Sequence, residues 1–231
     1  MLIRGVVSSP VRGVVGSGFG GARRLLFDDF HRDNTLAGVL GDAPTGQTWD
    51  LRGVYAGSYP LPAATDGQIV DNTFQAPAGQ VVYAGMDLGE TVRRLECDWS
   101  WVDDTVGTAF TTLALIISPS PNWIDTMLHI TITNGVCNIQ KRVAGGSFVT
   151  MNTGKTTISP SLALANTVHT AQIFVIGDRA RVVIDDRYDV TVQDAEIPSI
   201  VGRYIVAEHY SATTDVRWPM KVRRVEAFDA P

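Results

Sequence analysis

From Leu25 onward the apolar positions fall in short runs broken by Gly, Pro, Asn and Asp, and within many runs they alternate with polar ones. A period of two sends one side of the chain to a core and the other to water, which is the pattern of β-strands. Residues 91–102 show it most clearly: Leu95, Cys97, Trp99 and Trp101 share one face, Glu96, Asp98 and Ser100 the other. Residues 111–117 form a continuous apolar, β-branched run, as a central strand requires. Residues 127–133 and 136–143, joined by Asn134-Gly135, predict a hairpin, since an Asn-Gly pair suits a left-handed two-residue turn. A second hairpin is predicted over residues 169–176, Gly177-Asp178 and 181–185, with Asp186-Arg187 turning into 188–192. Further strands are expected at 25–30, 47–51, 68–71, 81–84, 148–151, 204–209 and 216–228. No window there sustains the three-to-four-residue apolar period of a capped helix, so the expected fold is an all-β sandwich or barrel with minimal helix.

The stretch ahead of this body differs. Arg4-Gly5-Val6-Val7 returns eight residues later as Arg12-Gly13-Val14-Val15, Pro10 lies between, and a glycine-rich run follows. With few large side chains, residues 1–24 are read as an N-terminal arm and 25–231 as one sandwich domain. The arm is either a leader without fixed structure or a strand that adds to a neighbouring subunit, with Arg4, Val6, Val7, Arg12, Val14 and Val15 as the contact residues. Residues 1–27 hold four arginines and no acid, and taking that +4 from the overall −5 leaves −9 on the remainder. An acidic body is not expected to bind nucleic acid through its surface field. No apolar run approaches the roughly 20 residues that span a bilayer, and the first residues lack the apolar region of a secretory signal. A soluble chain is expected.

Candidate chemistry is sparse. Gly16-Ser17-Gly18-Phe19-Gly20-Gly21 satisfies G-x-G-x-x-G, but no strand–helix–strand unit surrounds it, so no dinucleotide site is assigned. Glu96 and Asp98 share a strand face, yet a retaining glycosidase needs two carboxyls about 5–5.5 Å apart with one protonated, and positions 99–101 supply no second Glu. His31, His129, His169 and His209 show no metal-binding spacing. The pairs Asp103-Asp104 and Asp185-Asp186 are adjacent carboxylates without a calcium-loop pattern. No metal, cofactor or catalytic residue is therefore assigned. Cys97 lies in a core-facing pattern and reads as a buried apolar side chain, with pairing to Cys137 the alternative. Trp123, Tyr55, Tyr59 and Tyr210 fall in or beside loops, where exposed aromatic rings could stack on sugars; they are the candidate carbohydrate-binding residues.

Three groups of residues resemble known concanavalin-like and laminin-G-like sandwiches. Phe27-Asp28-Asp29-Phe30-His31-Arg32 with Pro44-Thr45-Gly46-Gln47-Thr48-Trp49 is similar to the opening of concanavalin-like jelly-roll domains in phage virion proteins. His169-Thr170-Ala171-Gln172-Ile173 with Val182-Val183-Ile184-Asp185-Asp186 resembles the hairpin of laminin-G-like sandwiches, and Val225-Glu226-Ala227-Phe228-Asp229 resembles the closing strand that pairs with the opening one. The resemblance implies two antiparallel sheets of six or seven strands. It further implies a non-enzymatic virion protein of the tail fibre or tail tip, located in the phage particle. Such a protein would be anchored to other virion proteins by the arm, would present the sandwich to host-surface glycan, and would assemble as a homo-oligomer, with a trimer as first expectation. A carbohydrate-active enzyme of the same fold, or a capsid-decorating or head-fibre protein, is the alternative.

Overall fold

A computed structural model describes residues 21–53, 67–76, 81–101, 111–162, 166–211 and 220–231. Its strands form two antiparallel sheets stacked face to face. Sheet I runs in the order β13 (Tyr188–Gln193), β12 (Arg179–Ile184), β11 (His169–Ile176), β6 (Arg94–Trp101), β15 (Met220–Phe228), β4 (Thr73–Gln75), β3 (Gln68–Val70), and β1 (Arg24–Asp28) also pairs with β15. Sheet II runs β10 (Val149–Thr150), β9 (Cys137–Arg142), β8 (Met127–Ile132), β7 (Thr111–Ser118), β14 (Tyr204–Ser211), β5 (Val81–Asp87), β2 (Asp50–Gly53). A four-residue helix, α1 (Ile197–Ile200), stands between β13 and β14. This is a concanavalin-like jelly-roll sandwich: the alternation predicts the all-β body and the resemblance its jelly-roll form, and among the described residues the sheets hold eight and seven strands rather than six or seven each.

The core is the sum of the inward faces. Leu95, Cys97, Trp99 and Trp101 of β6 are buried between the sheets; so are Leu113, Leu115 and Ile117 of β7 and Ile205 and Ala207 of β14. Cys97 and Cys137 are both buried and free, which decides between the two readings of the cysteines. Burial pushes the Cys137 thiol up to about 12, so it behaves as a small apolar group.

The chain ends are joined through the opening motif. Arg24 faces Phe228, and Phe27 and Asp28 face Glu226 and Val225. The Arg23 backbone N–H donates to Asp229 Oδ1 at 2.8 Å. Arg23 and Arg24, at the end of the expected arm, are thus bonded to the closing strand, and residues 1–20 of that arm lie outside the described residues. Asp28 is fully buried. Its carboxylate accepts both Arg32 guanidinium nitrogens at 2.9 and 2.7 Å, the Trp49 indole N–H at 2.6 Å and the Phe30 backbone N–H at 2.7 Å. A buried charge needs such a full set of partners. The spaced D-x-F-x-R … W pattern is thus one hydrogen-bonded knot.

Turns follow residue chemistry in most places. Asp71 and Asn72, at φ +49° and +58°, close the two-residue loop between β3 and β4. Asp185 and Asp186, at φ +50° and +56°, open the β12–β13 turn. The Asn134-Gly135 hairpin forms, but neither residue adopts positive φ. There the backbone is held from outside: the Leu162 and Ile158 N–H groups donate to the carbonyls of Asn134 and Gly135.

Candidate functional site

Each sheet has an outer face, and the two are built differently. On sheet I, cross-strand register lays Arg224, Asp98 and Thr170 in one row and Glu226, Glu96, Gln172 and Val183 in the next. The carboxylates here are engaged. Arg224 donates to Asp98 at 2.7 Å and also bonds Glu226. Glu96 lies 2.8 Å from Arg94 Nε, off the line of a hydrogen bond, and accepts from the Gln172 amide at 3.2 Å. Hydrogen bonding to Asp98, partly offset by burial, raises the Arg224 guanidinium above its ordinary range. Glu96 and Asp98 do share a face, as the alternation predicts, and that face is a cross-strand ion-pair network.

Sheet II carries a cover over part of its outer face. The segment between β7 and β8 folds back so that Trp123 and Ile124 pack with Tyr83, Ile116, Met127 and Val206 in a second apolar cluster. Gly85 makes this possible: a Cβ at that position would sit 2.9 Å from the Trp123 ring. The Arg52 guanidinium lies 3.8 Å from the ring centroid. Trp123 is 1% exposed. The expectation of an exposed, sugar-stacking Trp123 is therefore corrected: its loop is a cover, and the indole is the apolar weight that holds it down. Tyr55 and Tyr59 lie outside the described residues, and Tyr210 is placed only by its backbone in β14, facing Val81 and Thr112.

Beside this cover the face is polar. Register places Arg52, Tyr83, Glu208, Ala114, Thr131 and Asn138 in one row across β2, β5, β14, β7, β8 and β9. The next row holds Ile116, His129, Gln140 and Thr150. Glu208 reaches diagonally past the small Ala114 so that its Oε2 stands 3.3 Å from His129 Nε2. Both side chains are largely buried, 14% and 8% exposed. His129 Nδ1 has no partner, and the Phe148 ring lies against the imidazole with centroids 5.0 Å apart. Phe148 is half-exposed, and the Arg142 guanidinium sits 5.2 Å from its ring centroid.

A carboxylate held by an imidazole, on a face that also carries hydroxyl, amide, phenol and guanidinium groups, can pass a proton to or from a bound hydroxylated molecule. Sequence reasoning missed this pair. Glu208 and His129 are 79 residues apart, and neither stands in a motif. Among the described residues no group of three or more His, Cys, Asp or Glu could hold a metal ion.

No family model matches the chain, and no curated protein matches it. Solved structures do. A non-specific endo-β-1,3(4)-glucanase of family GH16 superposes with a TM-score of 0.61 at 9% identity, covering 91% of this chain and 92% of its own. The laminarinase of Rhodothermus marinus gives 0.59 at 11% identity, covering 90% and 98%. A structure described among endo-acting O-glycanases of the human gut microbiota that initiate mucin breakdown gives 0.61 at 11%, covering 90% and 100%. At these identities the likeness shows the fold. It also corrects the expectation of a non-enzymatic tail-fibre or tail-tip protein: these three structures, which share the architecture over about nine tenths of the chain, are described as glycan-cleaving enzymes. The enzyme alternative is the one they favour.

Proposed function

We propose that the protein is a carbohydrate-active enzyme whose glycan lies across the outer face of sheet II, with Glu208 and His129 as its proton-handling pair. The observation that carries this reading is the 3.3 Å Glu208–His129 contact on the polar part of that face. The fold shared with endo-glucanases supports it. At that separation the two groups act as one unit: His129 Nε2 holds the carboxylate in place while its Nδ1 stays enclosed, and Glu208, the more exposed of the two, exchanges a proton with the glycosidic oxygen or a hydroxyl. Thr131, Asn138 and Gln140 would bind sugar hydroxyls, with the Trp123 segment as one wall.

The substrate class follows from the neighbours as a β-linked glucan or a mucin-type O-glycan. The test is release of reducing ends from soluble β-1,3-glucan, mixed-linkage β-glucan and mucin. Glu208→Gln is expected to lower turnover by roughly 10²–10⁴-fold, the usual worth of general acid–base catalysis, with an unchanged melting temperature. Absence of turnover by the unaltered protein on all three, or full turnover by Glu208→Gln, overturns the proposal.

A further inference from the structure

On the outer face of sheet I a depression of about 210 Å³ opens where β11, β12 and β13 run side by side, lined by Phe174, Ile176, Arg179, Arg181 and Thr191. Register brings these outward side chains together. Ile176 faces Arg179 across the ladder, and Phe174 faces Arg181, which faces Thr191.

The two guanidiniums are not equivalent. Arg181 is engaged: its Nε and Nη2 donate to the two Asp189 oxygens at 2.8 and 2.6 Å, and the group lies over the Phe174 ring, 5.8 Å from the centroid. Asp189 therefore has no oxygen left for another cation, and Phe174 is partly covered. Arg179 is exposed, and its guanidinium makes no hydrogen bond or ion pair with a described residue. Asp178, its neighbour in the turn, does not line the depression and accepts from the Gln193 amide at 2.7 Å. Directly across from Arg179, Ile176 is 58% exposed. What the depression turns outward is thus a free fork of donors beside an uncovered aliphatic side chain, with the exposed Thr191 on the rim.

That combination selects a ligand class. A guanidinium has five N–H donors and no acceptor, so it calls for an acceptor-rich partner. A neutral sugar both gives and takes hydrogen bonds, whereas a carboxylate meets the fork with two parallel, charge-assisted bonds. Ile176 adds a contact for an apolar ring face, which a bare anion lacks. At about 210 Å³ the space is smaller than the roughly 300–1,000 Å³ of pockets that enclose a drug-sized ligand, so it admits one ring and not a chain.

We infer that this depression binds a single carboxylate-bearing sugar, with the carboxylate on Arg179 and the ring on Ile176. The site is separate from Glu208 and His129 and does not depend on turnover at sheet II. The test is amide chemical-shift titration of the whole protein with the methyl glycosides of glucuronic acid and N-acetylneuraminic acid, with uncharged methyl glucoside and with sodium acetate. At least one sugar acid is expected to bind and to shift amides in residues 174–181. Methyl glucoside and acetate are each expected to bind at least roughly tenfold more weakly, the worth of a lost hydrogen bond to a charged group. Arg179→Gln, at an exposed position, is expected to weaken binding of the acid by a similar factor with an unchanged melting temperature; Ile176→Ser is expected to weaken it as well, and Glu208→Gln to leave it unchanged. No binding of either acid, equal binding of methyl glucoside or of acetate, shifts confined to sheet II, or full binding by Arg179→Gln each overturns the inference.

Discussion

His209 gives the sharpest test of how the core is built. It is an inward residue of β14, facing Leu113 and Val82 across the ladder, and it is fully buried. Neither ring nitrogen has a partner, and desolvation alone lowers its pKa to about 4. In the unfolded chain the same imidazole titrates near 6.5. As pH falls below 6.5 the unfolded state takes up a proton that the folded state refuses until about pH 4. Stability from this group is therefore complete above pH 6.5 and is lost progressively down to about pH 4. Over the whole window the loss amounts to about 3 kcal/mol; by pH 4.5 it has reached about 2.5 kcal/mol. His209→Leu removes the titration and an unsatisfied pair of polar atoms, which costs little or even stabilises. The assay is urea unfolding of both proteins at pH 7.5 and pH 4.5. The stability difference between His209→Leu and the unaltered chain should shift in favour of the variant by about 2.5 kcal/mol between the two pH values. An unchanged difference would show that the imidazole is hydrated or paired, and would refute the reasoning.

Other outcomes follow from the same geometry. Trp123→Ala should cost about 3 kcal/mol or more of unfolding free energy, as truncation of a buried tryptophan does; an unchanged melting temperature would mean that the segment does not pack on Gly85. Asp28→Ala should cost about 3–5 kcal/mol, because it leaves the Arg32 guanidinium without its buried partner, and chemical denaturation measures it. Glu96→Gln should lower stability by about 1–2 kcal/mol through its contacts with Arg94 and Gln172, while the proposed glycan turnover stays at the level of the unaltered protein. A catalytic loss in that variant would move the active face to sheet I.

The architecture was legible because its determinants are local. Alternation in residues 91–102 is a property of one strand, and β6 buries the four residues that the period selects. The opening motif was legible for a related reason: Asp28, Phe30 and Arg32 lie within five positions, and only Trp49 must arrive from a distance. Strand counts in each sheet were less legible. A segment as short as β4 is a strand because its neighbours supply hydrogen bonds, which no period in three residues can announce.

The candidate site fails the same criterion. Glu96 and Asp98 drew attention as two acids on one strand, yet Arg94 of the same strand and Arg224 of the neighbouring β15 pair with them. Glu208 and His129 attract no notice as a pair in sequence because they stand 79 positions apart, each with the alternation of an ordinary outward-facing strand position. Their meeting depends on strand order: β14 lies beside β7, β7 beside β8, and Ala114 between them is small enough for the carboxylate to cross. The same dependence explains Trp123. A tryptophan in a Ser-Pro-rich loop reads as exposed until Gly85, 38 positions earlier, is seen to leave a socket for it. On this sandwich, chemistry is written across strands, at right angles to the direction in which the sequence is read.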